Sequence, residues 1–362
     1  MISILPRLFG VKGANKNPKP SGPLTREGLL ASDLWLDQPD AHEQIAQRLA
    51  AGTITGEQAK KLRCFVDRGY LTLALDLPDE VYADVWAAVE RLWREKPWNV
   101  AFAYHSPLKL FALADEAQDR RPSCRIADLH SDSSGALALY LNRQVFDYVE
   151  LIWGQPAVAT QSLTFEYGSQ QALHRDPVHV HTSPPSHLVA AWIALEDIGP
   201  RCGALTYIPG SHRLPYWRDA KGDYRLHQAS HGEAEIRAAL DFDLAQCARR
   251  GLAPELFTCR RGEVLIWHHS LLHGGSPPED PALTRKSFVV HFSTRANYKR
   301  LRQTVLEPAR DAAGNLVERS HTFGTDRLLE RDGCRGFDNP LRDYRGPDQA
   351  PATKTAPSEP TS

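Results

Sequence analysis

Three side chains in this sequence have the types and spacing to hold one metal ion. His174 and Asp176 are separated by a single residue, so on a β-strand both would leave the same face of the pleat and could grip one ion. A second imidazole, from His273 in the run LLHGGSP, would complete a set of two histidines and one carboxylate. That set leaves three coordination positions open, the arrangement expected of non-haem Fe(II) oxygenases.

A lone His-Arg-Asp tripeptide is common, and the surrounding motifs give it weight. In order they are LHRD at Leu173 to Asp176, AAWIALED at Ala190 to Asp197, GALTYIPGSH at Gly203 to His212, RRGEVLIWHHSLLHGGS at Arg261 to Ser276, and RKSFVVHFS at Arg285 to Ser293. Taken together, across the middle and later thirds of the chain, they resemble the phytanoyl-CoA dioxygenase family of Fe(II)/2-oxoglutarate oxygenases. The resemblance implies ferrous iron, 2-oxoglutarate as co-substrate and dioxygen. It also implies oxidative decarboxylation of 2-oxoglutarate to succinate and CO2, coupled to hydroxylation of a small or carrier-linked metabolite. Related halogenases replace the carboxylate ligand with a small residue, so the presence of Asp176 favours hydroxylation.

A 2-oxo acid needs a second anchor for its far carboxylate. Arg285 is placed for this at the start of a strand shortly after His273, with a planar guanidinium that can bind a carboxylate through two parallel hydrogen bonds. On that strand Arg285, Ser287, Val289 and His291 would share one face and Lys286, Phe288, Val290 and Phe292 the other. Ser287 would then add a hydrogen bond to the same ligand. Trp192, flanked by Ala190 and Ala194 on its face, would form a shelf, and in the family a tryptophan of this motif lies beside the co-substrate. Gln161 and Gln171 are lesser candidates for polar groups in the pocket. Two other classes stay open at this point. Zinc or manganese could use the same triad in a cupin-type hydrolase or isomerase, which would have no use for Arg285. A barrel that binds without catalysis is the other.

Further histidines crowd the triad. His179, His181, His187, His268 and His269 are read as structural or outer groups rather than ligands, and His212 as orienting its turn. Glu196 and Asp197 are expected to end a strand in solvent, and Lys109 and His130 to make ordinary surface contacts.

The elements that must position these groups follow from pattern. In a chain of 362 residues with net charge −1 there is no basic field to recruit nucleic acid. No apolar run approaches the roughly 18 residues that span a membrane, and the opening MISILPRLFGVKG has too short an apolar run for a secretory signal, so a cytoplasmic enzyme of small molecules is expected. Six scattered cysteines without a close pair suggest reduced thiols. Oligomeric state is not readable.

Residues 1–26 look like a flexible leader, and the tail, 331–362, disordered from about 346. Between them, 27–155 reads as a mostly helical layer: a helix after Asp40, another opened by a Thr55/Gln58 capping box and closed by Gly69, a third carrying Val85, Val89 and Leu92, and a helical hairpin from Ser133 to Trp153. From 156 to 330 the period shortens to β-like runs at 158–167, 187–195, 204–208, 263–267 and 285–293, with an insertion at 214–259 that carries a helix from Ala234 to Arg250. The expected fold is mainly β with a helical layer (α+β), a jelly roll that the resemblance makes a double-stranded β-helix of the cupin-like kind, flanked by N-terminal helices.

Overall fold

The computed structural model describes residues 28–95, 101–103, 112–113, 120, 124–178, 180, 182, 184–226, 232–294, 303–310, 316–323 and 328–338. The expected leader, most of the expected tail, Lys109, His179 and His181 lie outside the described residues.

The N-terminal part is built of α1 (Ala41–Ala50), α2 (Gly56–Arg68), β1 (Tyr70–Ala74), α3 (Asp79–Glu95), β2 (Ala101–Ala103), β3 (Ala112–Leu113), β4 (Arg125–Ala127), α4 (Ser134–Tyr140) and α5 (Arg143–Trp153). The caps behave as the sequence predicts. The Gln58 amide donates to Thr55 Oγ1 at 3.1 Å while the Thr55 amide donates to Gln58 Oε1 at 2.8 Å, and α2 closes at Gly69 with φ of 82°. On α3, Val85, Val89 and Leu92 are buried in one stripe, each contributing about 1.5–3 kcal/mol by leaving water.

The rest is β-rich: β5 (Val158–Phe165), β6 (Val189–Ala194), β7 (Leu205–Tyr207), the helix α6 (Glu233–Arg249), β8 (Glu255–Phe257), β9 (Glu263–His268), β10 (His273–Gly275), β11 (Ser287–Ser293), β12 (Gln303–Arg310), β13 (Leu316–Phe323), β14 (Leu328–Arg331) and β15 (Cys334–Phe337). A large sheet runs in the order β1-β9-β6-β11-β5-β4-β2-β3, and a small one in the order β10-β7-β8. The hairpin β14–β15 straddles the boundary expected at 330, and β15 docks on the large sheet, with Gly336 registered against Ala159 of β5.

Alternation along the central strands sorts their side chains onto two faces. Val189, Ala191, Ile193, Val264, Ile266, Phe288, Val290 and Phe292 pack with Phe65, Val89, Leu139, Phe146 and Val149 of the helices in one cluster. The opposite residues, Ala190, Trp192, Leu265, Trp267, Val289, Leu163 and Phe165, cluster instead with Leu205, Tyr207 and Phe257 of the small sheet. Ser287, Val289 and His291 of β11 face this second, inner layer. The strand expected from Arg285 begins at Ser287, and the one expected from His187 begins at Val189 after a short 3-10 turn at Pro185–His187. No helix among the described residues is long and apolar enough to cross a membrane.

Candidate metal centre

His174 and His273 lie far apart in sequence and are paired backbone to backbone. They form an isolated antiparallel bridge, in which the His174 amide donates to the His273 carbonyl at 2.9 Å and the His273 amide donates back at 3.0 Å. Such a pair puts both side chains on one side, and the ring centroids are 4.4 Å apart. The chain does not continue as a strand to Asp176, as pleat alternation predicts. It turns directly into a short 3-10 helix, Asp176–Val178, and the turn brings the carboxylate under the two rings. The two glycines after His273 permit this crossing: a Cβ on Gly274 would sit 2.8 Å from the Gln171 carbonyl oxygen, and one on Gly275 2.8 Å from the Gln170 nitrogen.

The ligand atoms are already aimed. Nδ1 of His174 lies 2.9 Å from the Ala172 carbonyl and Nδ1 of His273 lies 2.9 Å from the Leu271 carbonyl. A carbonyl only accepts, so each Nδ1 carries the proton and each Nε2 presents a lone pair. Those Nε2 atoms stand 3.9 and 3.4 Å from Asp176 Oδ1, too far for good hydrogen bonds and suited to an ion making bonds of about 2 Å to each. The other carboxylate oxygen is fixed by Trp267, whose Nε1 donates to Asp176 Oδ2 at 2.8 Å. Among the described residues, His174, Asp176 and His273 form a group whose ligand atoms all lie within 4.8 Å of one another. Asp176 and His273 are buried, whereas the His174 side chain keeps 16 % of its exposure, so the site opens to solvent on that side.

Arg285 is 2 % exposed, and its backbone amide donates to the Glu166 carbonyl at 2.6 Å. Its Nη1 donates to the Gly203 carbonyl at 2.9 Å, while Nε is buried without a partner. No carboxylate pairs with it among the described residues, and burial pushes its pKa from 12.5 down to about 10. Gly168, at φ of +80°, lies flat against the guanidinium; a Cβ there would come within 2.4 Å of Nε, so only glycine leaves the arginine its place. Ser287, fully buried one step further along the inner face, also has an unpartnered Oγ. A buried cation and a buried hydroxyl with unspent hydrogen-bonding capacity fit an anionic ligand such as the carboxylate of a 2-oxo acid.

The remaining expected residues divide. Gln161 stands opposite His291 in the β5–β11 register, on the inner face. Gln171 contributes through its backbone, its carbonyl accepting from the Gly275 amide at 2.9 Å. Trp192 is 2 % exposed and packs edge-on against Phe257 with centroids 5.8 Å apart, so its ring fills core rather than standing as an open shelf. His187 binds Asp33 at 2.9 Å, His268 binds Asp37 at 3.1 Å, and His212 donates from Nε2 to the Val66 carbonyl at 3.1 Å, so these rings serve packing. His130 is not at the surface: it is 2 % exposed, stacks on Tyr140 and bonds Ser162 and the Phe337 carbonyl. Nor does Glu196 end its strand idly in solvent. Its Oε1 accepts from Thr284 Oγ1 at 2.6 Å and from the Lys286 amide at 2.8 Å, tying down the residues on either side of Arg285.

Sequence reasoning missed Arg125, Trp267 and His291. Arg125 registers opposite Phe165 on the inner face of β4, and its buried Nε has no partner. His291 lies fully buried with its pKa lowered chiefly by burial, and it feels the charges of Asp176, His273 and Arg125. The signal for His291 was its place on the inner-face alternation of β11; Arg125 lies on a strand of three residues, too short to show a period.

Two imidazoles and one carboxylate placed so that they could hold one ion, and a buried guanidinium that meets no carboxylate among the described residues, suit a mononuclear metal centre with an anionic co-substrate. Comparison with known proteins narrows that class. The family model "Phytanoyl-CoA dioxygenase (PhyH)" matches residues 69–285, more than half of the chain. The peroxisomal phytanoyl-CoA dioxygenase of Mus musculus is 25% identical over 268 residues, which cover 70% of this chain and 72% of the relative. That of Homo sapiens is 21% identical over 260 residues, with the same shares of the two chains. A solved structure, the non-heme alpha ketoglutarate dependent carbocyclase SnoK from nogalamycin biosynthesis, is similar with a TM-score of 0.49 and 17% identity, covering 67% of this chain and 85% of that one. The chain belongs to the phytanoyl-CoA dioxygenase family of iron- and 2-oxoglutarate-dependent oxygenases. The donor set here fits ferrous iron, and the unspent groups of Arg285 and Ser287 fit 2-oxoglutarate.

Proposed function

We propose that this chain is an Fe(II)/2-oxoglutarate-dependent hydroxylase of a small or carrier-linked metabolite, built on a double-stranded β-helix. His174, Asp176 and His273 would hold the ion. When bound, ferrous iron with dioxygen supplies the coupling of 2-oxoglutarate decarboxylation, to succinate and CO2, with oxidation of a substrate C–H bond.

The chain's own groups do the positioning. The Ala172 and Leu271 carbonyls keep the Nδ1 protons in place, and Trp267 holds the carboxylate, so the three donors need no rearrangement to bind. Arg285 and Ser287 receive the far carboxylate of 2-oxoglutarate, and Glu196 keeps the arginine's segment still. Arg125, registered beside Phe165 at the Ser287 end, gives a second cation, and His291 and Gln161 give polar surface nearer the metal, for an anionic head group. The apolar wall of Leu163, Phe165, Trp192 and Val289 keeps water from the interior.

The observation that carries this reading is the buried guanidinium of Arg285, which meets no carboxylate among the described residues and keeps Nε without a hydrogen bond, and for which a Zn or Mn hydrolase has no use. The test is anaerobic addition of ferrous iron and 2-oxoglutarate. A weak visible charge-transfer band is expected in the wild type and not in Asp176→Ala; a wild type that shows no band under conditions where a known oxygenase does would overturn the reading.

A further inference from the structure

Arg175 stands between the two ligands His174 and Asp176 and is 1 % exposed. Its two terminal nitrogens are engaged away from the metal, while Nε is buried without a hydrogen-bond partner among the described residues. Nη1 donates to the Leu214 carbonyl at 2.9 Å, and Nη2 donates to the Pro215 carbonyl at 3.2 Å and to Asp243 Oδ1 of α6 at 2.7 Å. Its Cζ lies 4.3 Å from the ring centroid of Tyr216, and Tyr216 in turn donates to Ser270 Oγ at 2.8 Å, three residues before His273.

A second, apolar contact converges on the same place. Leu173 and Leu272, the residues immediately before the two histidine ligands, pack in one small cluster with Ile208, Leu214, and Cys247 and Leu252 from α6 and the turn after it. The helix has little other reason to lie there, since Cys247 is its one buried residue among those whose burial is described. Nor does the ion pair serve as simple glue: burial outweighs Arg175 and pushes the Asp243 carboxyl up to about 6. An ion pair that is expensive to bury, where an apolar residue would pack as well, is best explained by orientation.

We propose that residues Leu214 to Tyr216 together with α6 act as a brace on the metal centre, with Arg175 and Asp243 as positioning residues that set the His174–Asp176 bite. This rests on the functional reading above. The insertion then holds the backbone on both sides of the ion, through a charged contact at Arg175 and an apolar one at Leu173 and Leu272.

The test compares the full-length wild type with Arg175→Met, Asp243→Asn and, as a control for general stability, Val89→Ala in the core of the helical layer. Ferrous iron affinity is read anaerobically by competition with a chelator, beside the melting temperature of each metal-free protein. Iron affinity should fall about 10–100-fold in Arg175→Met and less in Asp243→Asn, while Val89→Ala melts earlier and binds iron as the wild type does. Variants that bind iron like the wild type would overturn the brace. So would a Val89→Ala protein that loses as much affinity, since iron binding would then follow stability alone. If Arg175→Met does not fold, Asp243→Asn decides by itself. A wild type without iron affinity would instead bring down the functional reading on which the brace rests.

Discussion

Replacing Arg285 with methionine should make the ligand-free protein more stable while removing its hold on 2-oxoglutarate. The guanidinium is 2 % exposed, and burial takes its pKa from 12.5 to about 10. That fall corresponds to roughly 3 kcal/mol against the charged form. The folded-state pKa lies below the unfolded one, so the penalty is fully present below about pH 10, and therefore at neutral pH, and is relieved only as pH rises toward 12.5. Methionine removes it and keeps most of the volume, but strands the Gly203 carbonyl at a cost of about 1–2 kcal/mol. The net is about 1–2 kcal/mol in favour of the variant, a few degrees in Tm. Ligand binding moves the other way. Charge-assisted bonds to a carboxylate are worth about 1.5–3 kcal/mol, so the Kd for 2-oxoglutarate should rise about 10–150-fold. Melting curves with ferrous iron, taken anaerobically with and without 2-oxoglutarate, read both effects. At 100 times its Kd the ligand should stabilise the wild type by about 2.7 kcal/mol and the variant far less. A variant that melts below the wild type and is still stabilised by 2-oxoglutarate would show that Arg285 is a structural brace.

Two further outcomes are expected. Trp267→Phe keeps an aromatic side chain, though a smaller one, but loses the 2.8 Å bond to Asp176, so iron affinity should fall about tenfold in a chelator competition; an unchanged affinity would mean the carboxylate is held by other groups. His212 and His269 are buried with pKa values well below 6.5, chiefly through desolvation. Because their folded pKa values are depressed, the unfolded chain takes up the extra protons, and stability should fall as pH drops below about 6.5, by up to about 1.4 kcal/mol per pH unit for each ring. Urea midpoints against pH would show the slope, and His269→Asn should flatten part of it; an equal slope in that variant contradicts the assignment.

The parts of the molecule legible in sequence are those with a local cause. The Thr55/Gln58 cap, the stripe of Val85, Val89 and Leu92, and the period-two sorting of β6 and β11 each follow from neighbours in the chain. The three ligand candidates were legible from the one-residue spacing of His174 and Asp176 and from the ordered motifs around them and His273. What escaped depends on contacts between distant segments. Trp267 reaches Asp176 across the inner layer, Glu196 grips the flanks of Arg285, and His130 is buried by Phe337 from the far end of the chain. The pleat argument for His174 and Asp176 reached the right grouping through the wrong element, because a bridge followed by a 3-10 turn brings two side chains together as a strand would.

The central claim is that one ferrous ion sits among two imidazoles and one carboxylate. Iron bound per chain, measured by anaerobic equilibrium dialysis of the wild type and of His174→Ala, Asp176→Ala and His273→Ala, tests it most directly. One iron per wild-type chain and little in any of the three variants is expected; equal binding in all four proteins would contradict it.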